Sequence, residues 1–136
     1  MEDLVNYDLR SGDPTYFHIG GHGTPTAMYD DRKADEKETG PRISAKEVAD
    51  IMRKEGWNGE AVVIHGCDTG QYNGLNYPFA QQLADELQVD VIAPTQDIIY
   101  TNREGVPPKI EFDGHWNKFS PGESSPTPMQ PEWSPY

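Results

Sequence analysis

Three short apolar runs punctuate the chain: Tyr16-Phe17-His18-Ile19, Ala61-Val62-Val63-Ile64 and Val89-Asp90-Val91-Ile92-Ala93-Pro94. Each has the length of a strand, and the second is unbroken, as for a strand covered on both faces. Between the runs the period changes. Val48, Ile51 and Met52 recur at helical spacing, and Ser44-Ala45-Lys46-Glu47 ahead of them reads as a capping box. Gly56 stops that helix. Phe79, Ala80, Leu83, Ala84 and Leu87 mark one face of a second helix, with Pro78 suited to its first turn. Strand, helix, strand, helix, strand predicts an α/β domain: a mostly parallel sheet flanked by helices.

The flanking segments are weaker. Ile98-Ile99-Tyr100 suggests a fourth strand, and residues 109–112 and 115–119 suggest a hairpin around Asp113-Gly114. Residues 1–14 read as an N-terminal extension and 15–122 as the domain. Within it, 24–42 is a polar insertion without structure of its own. It starts beside His22, where it can act as a lid. Residues 123–136 form a Pro/Ser-rich tail, disordered or draped over the surface. Trp57, Trp116 and Phe119 read as packing residues, with a place in the pocket wall as the alternative for Trp116 and Phe119.

In parallel α/β sheets, ligands bind beyond the carboxyl ends of the strands. Two reactive residues fall there. His22 follows the first run through Gly20-Gly21, and Cys67, the only cysteine, follows the second through His65-Gly66. A thiol beside an imidazole is a ready nucleophile, because the imidazole takes its proton or stabilises the thiolate. The backbone N–H groups of Gly23 and Cys67 are candidate oxyanion donors. Asp68, Thr95 and Asp97 border the same edge and are candidate substrate-binding residues. For Asp68 the alternative is a cap on the Thr69-Gly70 turn, and for Asp97 a turn residue. The plain alternative for Cys67 is a small core residue, but the matched strand–Gly–His favours catalysis. His18 and His65 read as packed strand residues and His115 as exposed. His18 and His22 are four apart, but a zinc pair at that spacing needs a helix, which Gly20-Gly21 opposes. His22, His65, Cys67 and Asp68 collecting around a metal is the lesser alternative, and neither metal nor cofactor is expected.

Composition narrows the classes. The 136 residues suit one domain with a modest core, although hydrophobic content is only 35%. One cysteine excludes an internal disulfide and suits a reducing compartment. A net charge of −12 argues against sequence-independent nucleic-acid binding, which needs cations to displace counterions from phosphate. No apolar stretch approaches the ~20 residues that span a bilayer, and Met1-Glu2-Asp3-Leu4 does not read as a signal peptide. Nucleic acid and membrane are therefore not expected partners.

The pattern resembles the clan CD cysteine peptidases (caspases, gingipains, clostripain and the autoprocessing domains of large bacterial toxins). There, one apolar strand leads into His-Gly and a second into Ala/Gly-Cys. Here these are Phe17 to His22-Gly23 and Val62 to Gly66-Cys67, 45 positions apart. The chain also resembles caspase-like domains at the C-termini of bacterial polymorphic toxins. That likeness rests on Ile43-Ser44-Ala45-Lys46-Glu47-Val48, Cys67-Asp68-Thr69-Gly70, Phe79-Ala80-Gln81-Gln82-Leu83-Ala84, Val91-Ile92-Ala93-Pro94-Thr95 and Trp116-Asn117-Lys118-Phe119-Ser120-Pro121-Gly122. It spans roughly residues 15–122. The resemblance implies a minimal caspase-like fold, Cys67 as nucleophile, His22 as acid/base and peptide-bond cleavage. It also implies a protein or peptide substrate, an immunity protein as partner, and a secreted effector acting in a target-cell cytoplasm. The caspase Gln-Ala-Cys signature is absent, so cleavage after Asp is not implied. Asp68 and Asp97 suggest a basic substrate residue instead. The competing expectation is a catalytically silent caspase-like domain that binds a partner protein, and a third is a non-peptidase hydrolase or transferase using the same thiol.

Overall fold

The structure, a computed structural model, describes residues 15–29, 41–66, 68–96 and 114–133, together with the backbone of 99–101 and 109–111. Its elements in chain order are β1 (Tyr16–Gly20), β2 (Gly23–Thr24), β3 (Ala27–Tyr29), β4 (Arg42–Ile43), α1 (Ala45–Lys54), β5 (Ala61–His65), α2 (Phe79–Leu87), β6 (Val91–Pro94), β7 (Ile99–Thr101), β8 (Lys109–Glu111), β9 (Trp116–Phe119) and β10 (Thr127–Pro128). The main sheet runs β1-β5-β6-β9-β10. The pairs β1–β5 and β5–β6 are parallel, and β6–β9 and β9–β10 are antiparallel. The α/β class is therefore observed, but the expected mostly parallel sheet is not: parallel pairing is confined to β1, β5 and β6, and β9 and β10 add antiparallel.

Alternation along the strands divides the sheet into two faces. Phe17, Ile19, Val62, Ile64, Val91 and Ala93 share one core cluster with Val48 and Met52 of α1 and Phe79, Leu83 and Leu87 of α2. Both helices thus cover one face, as two successive crossovers of the same hand require. On the other face Val63, Ile92 and Trp116 are covered by Tyr16, Met129 and Trp133. The C-terminal segment is the second layer there, in place of a helix. It is draped over the sheet as far as Trp133.

Local signals explain the helix boundaries. Ser44 Oγ accepts from the Glu47 N–H at 3.1 Å, and Glu47 reaches back to the Ser44 N–H, completing the capping box. At the other end Gly56 takes φ 99°, and the Trp57 N–H donates to Met52 O at 2.9 Å. This is a Schellman stop, with glycine where a side chain would be strained. α2 has no side-chain cap. Its first free N–H groups go instead to loop carbonyls: Phe79 N–H to Pro25 O at 2.9 Å and Ala80 N–H to Thr69 O at 3.1 Å. The helix start therefore ties together the two loops that follow β1 and β5.

Two sequence expectations are corrected. Residues 109–112 and 115–119 do not form a hairpin with each other. β8 pairs with β7 in a separate two-stranded sheet, and β9 adds to β6 with Pro94 opposite Trp116. The exposed edge of β6 offers a row of ladder groups to satisfy. The amphipathic Trp116–Phe119 segment fits it, burying Trp116 on one face and Phe119 on the other. The 24–42 insertion is not structureless throughout, because β2, β3 and β4 form a small antiparallel sheet with Ala27, Met28 and Ile43 buried. The lid was expected from the whole 24–42 insertion, of which 30–40 lie outside the described residues, as do the extension 1–14 and residues 134–136.

Candidate active site

Parallel pairing brings the carboxyl ends of β1, β5 and β6 to one edge, and antiparallel β9 brings its start to the same edge. The register fixes the details. Gly20 lies opposite His65, and the Gly21 N–H points to His65 O at 3.5 Å. A β-carbon on Gly66 would lie 3.1 Å from Gly21 O. The segments leading to His22 and to position 67 are thus adjacent. His22 is exposed, and its carbonyl accepts from the Tyr29 N–H at 3.1 Å, which fixes its backbone against β3. Gly23 opens β2 opposite Met28. Cys67 itself and Asp97 lie outside the described residues.

The turn after position 67 is tightly held. Thr69 is fully buried, and its hydroxyl donates to Gly66 O at 2.8 Å. Asp68 takes φ 62°, and its N–H donates to Gln96 O at 3.3 Å. The Gly70 N–H donates to Pro94 O at 2.8 Å, and Gly70 O accepts from Asn117 Nδ2 at 3.0 Å. Gly70 has no room for a side chain, since a β-carbon would sit 2.3 Å from Ala93 O. Position 67 is therefore bracketed by anchors on three neighbouring strands.

Beside this turn lies a cleft of about 470 Å³ lined by Gln71, Tyr72, Thr95, Gln96, His115 and Asn117, closed by Ser125 and Pro126 of the C-terminal segment. Thr95, singled out from the sequence, lines it. Asp68 does not. Gln71, His115 and Asn117 were not foreseen as site residues, and Gln96 only as the middle residue of the Thr95-Gln96-Asp97 strand end expected to face the crevice. For the first three the one sequence signal was the Trp116–Gly122 motif of the resemblance, which contains Asn117.

His18 and His65 lie behind the edge on the tail-covered face. His18 Nδ1 and His65 Nε2 are 2.9 Å apart, so one donates to the other. Trp116 meets His65 edge-on. Burial, and secondarily the His18 charge, hold His65 well below the ordinary histidine pKa, so it is neutral at pH 7. On α2, burial raises the pKa of Asp85, but bonds from the Gly122 N–H, Tyr77 hydroxyl and Gln81 amide more than offset this, leaving it below the usual carboxylate range. The same contact pushes Tyr77 up to about 12. Among the described residues no group of three His, Cys, Asp or Glu side chains converges in a way that could hold a metal ion. Nor is any described helix long and apolar enough to cross a membrane.

A family model described as Domain of unknown function (DUF8616) matches residues 5–108, and the chain belongs to that family. No curated protein and no solved structure matches the chain.

Proposed function

Membership in this family brings no activity with it, and we propose from the residues themselves that the chain is a cysteine endopeptidase of caspase-like type, a toxin effector module acting on a protein in a reducing cytoplasm. The Cys67 thiolate attacks the scissile carbonyl carbon. The oxyanion takes N–H donors from Gly23 and Cys67. His22 protonates the departing amine as the C–N bond breaks. Water, deprotonated by His22, then hydrolyses the thioester and frees the thiol.

One observation carries this reading. β1 and β5 are parallel neighbours in register, with Gly20 opposite His65 and Gly21 hydrogen-bonded to His65 O. A His two residues past one strand and a Cys two residues past the next therefore leave from adjacent strand ends.

The second reading, a silent domain that binds a partner protein, draws on the loop after position 70. Leu75 is 95% exposed and Tyr77 53% exposed beside the edge. A mixed set of peptidyl acyloxymethyl ketones, read by intact mass, distinguishes the two. A peptidase is labelled once, at Cys67, and about 10²-fold more slowly as His22→Ala. A silent domain is labelled equally slowly in both forms, and that result would sink the peptidase reading.

A further inference from the structure

We infer that the cleft beside the 68–71 turn is a side-chain pocket for a neutral carboxamide, so that the substrate residue seated there is glutamine or asparagine. This rests on the peptidase reading for its meaning, but the pocket chemistry stands on its own observations.

The cleft borders the candidate catalytic turn directly. The Asp68 N–H donates to Gln96 O, and Gln71 Nε2 donates to Thr95 O at 3.4 Å, so two of its walls are bonded to the turn that follows position 67. Among the described residues its polar lining carries no carboxylate and no Lys or Arg, and His115 is the one imidazole there. What the lining presents is a mixture of donors and acceptors. Thr95 Oγ1 accepts from the His115 N–H at 3.0 Å, which leaves the hydroxyl hydrogen to donate. Gln71 donates through Nε2, which leaves Oε1 to accept. The exposed Gln96 amide has no side-chain partner among the described residues and offers both. Asn117, only 5% exposed, spends Nδ2 on Gly70 O, and its buried Oδ1 has no partner among the described residues. Reversing that amide would set two acceptors against each other at Gly70 O, so the assignment holds.

A carboxylate has only acceptors and would meet Gln71 Oε1 unfavourably. An ammonium or guanidinium has only donors and needs an anion that the described lining lacks. A carboxamide carries one acceptor and two donors, and satisfies a neutral wall of both kinds. Leaving such polar groups unpaired is what makes hydrogen-bonding pockets reject near-isosteres. The basic residue suggested by Asp68 and Asp97 is therefore not what this cleft selects. Asp97 lies outside the described residues, and a lysine peptide tests its influence.

The test uses the full chain as Cys67→Ala, so that binding is read without turnover. Pentapeptides Ala-Ala-X-Ala-Ala with X as Gln, Asn, Lys or Glu are titrated while the side-chain amide NMR signals of Gln71, Gln96 and Asn117 are followed. Saturable shifts are expected with Gln or Asn, with binding about tenfold weaker for Lys and Glu, and loss of that preference in Gln96→Ala, an exposed position that tolerates the change. No saturable shift, or lysine or glutamate binding as tightly, overturns it. Cleavage by the wild type is scored separately. Cutting without Gln or Asn enriched at one fixed position from the scissile bond overturns the pocket assignment and leaves the peptidase reading standing. If nothing is cut, the peptidase reading falls, and the titration still decides the pocket.

Discussion

Replacing Gly70 with alanine tests how the turn after position 67 is held. The added β-carbon would lie 2.3 Å from Ala93 O, 2.7 Å from Ala93 C and 3.0 Å from Pro94 O. These are backbone atoms of β6, which runs through the middle of the sheet, so they cannot swing aside. The turn must retreat by about 1 Å to restore ordinary contact. That movement breaks two bonds at once: Gly70 N–H to Pro94 O at 2.8 Å, and Asn117 Nδ2 to Gly70 O at 3.0 Å. Each is worth about 0.5–1.5 kcal/mol, and the buried Asn117 amide then loses its one partner among the described residues at a further cost of about 1–3 kcal/mol. The expected loss is about 3–4 kcal/mol, a large part of the ~5–15 kcal/mol that holds a domain together. For a chain of this size it lowers Tm by about 10–15 °C. Gly66→Ala, whose new contacts are 3.1–3.3 Å, should cost much less. Thermal melts followed by circular dichroism give both numbers. A Gly70→Ala protein that melts within 3 °C of wild type, or a Gly66→Ala protein that loses more, would refute the packing argument.

Two further outcomes follow from the titrating groups. Because His65 is held well below its unfolded pKa of ~6.5, its contribution to stability is complete above that value and declines as pH falls below it, by at most about 1.4 kcal/mol per pH unit until the folded pKa is reached. Melts between pH 7.5 and 5 should show this slope, and His65→Phe should flatten it; an unchanged slope would mean that the buried pair is not its source. Asp85 accepts from the Gly122 N–H at 2.9 Å, and its neighbour Gln81 donates to Ser120 O at 2.9 Å. Asp85→Ala should therefore raise amide exchange of residues 120–126 about tenfold while leaving β5 protected, and unchanged exchange there would show that other contacts hold the segment.

Much of the fold was legible because its signals are local. β5 is built on the unbroken apolar run Ala61-Val62-Val63-Ile64, the capping box and Gly56 bound α1, and the apolar face of α2 has an unambiguous period. The edge location of His22 followed from strand order alone. The partner of the 116–119 segment did not, because it is chosen by the open edge of β6, more than 20 residues earlier, rather than by any adjacent turn. β2 to β4 escaped notice because two- and three-residue strands carry little periodicity, and Ala27-Met28 sits among polar neighbours. The cleft was hidden for the same reason. Gln71, Gln96, Asn117 and Ser125 come from four separate segments, and each alone reads as an ordinary polar surface residue. The anchoring role of Thr69 was also invisible, since a Thr in a Thr-Gly turn looks like turn chemistry until its hydroxyl is seen on Gly66 O.

The central claim is that Cys67, with His22, breaks peptide bonds. Incubating wild type, Cys67→Ala and His22→Ala with a proteome-derived peptide pool and sequencing the new termini tests it most directly. New termini are expected with wild type, none with Cys67→Ala, and at least about 10²-fold fewer with His22→Ala. The same termini, or none at all, from all three proteins would contradict it.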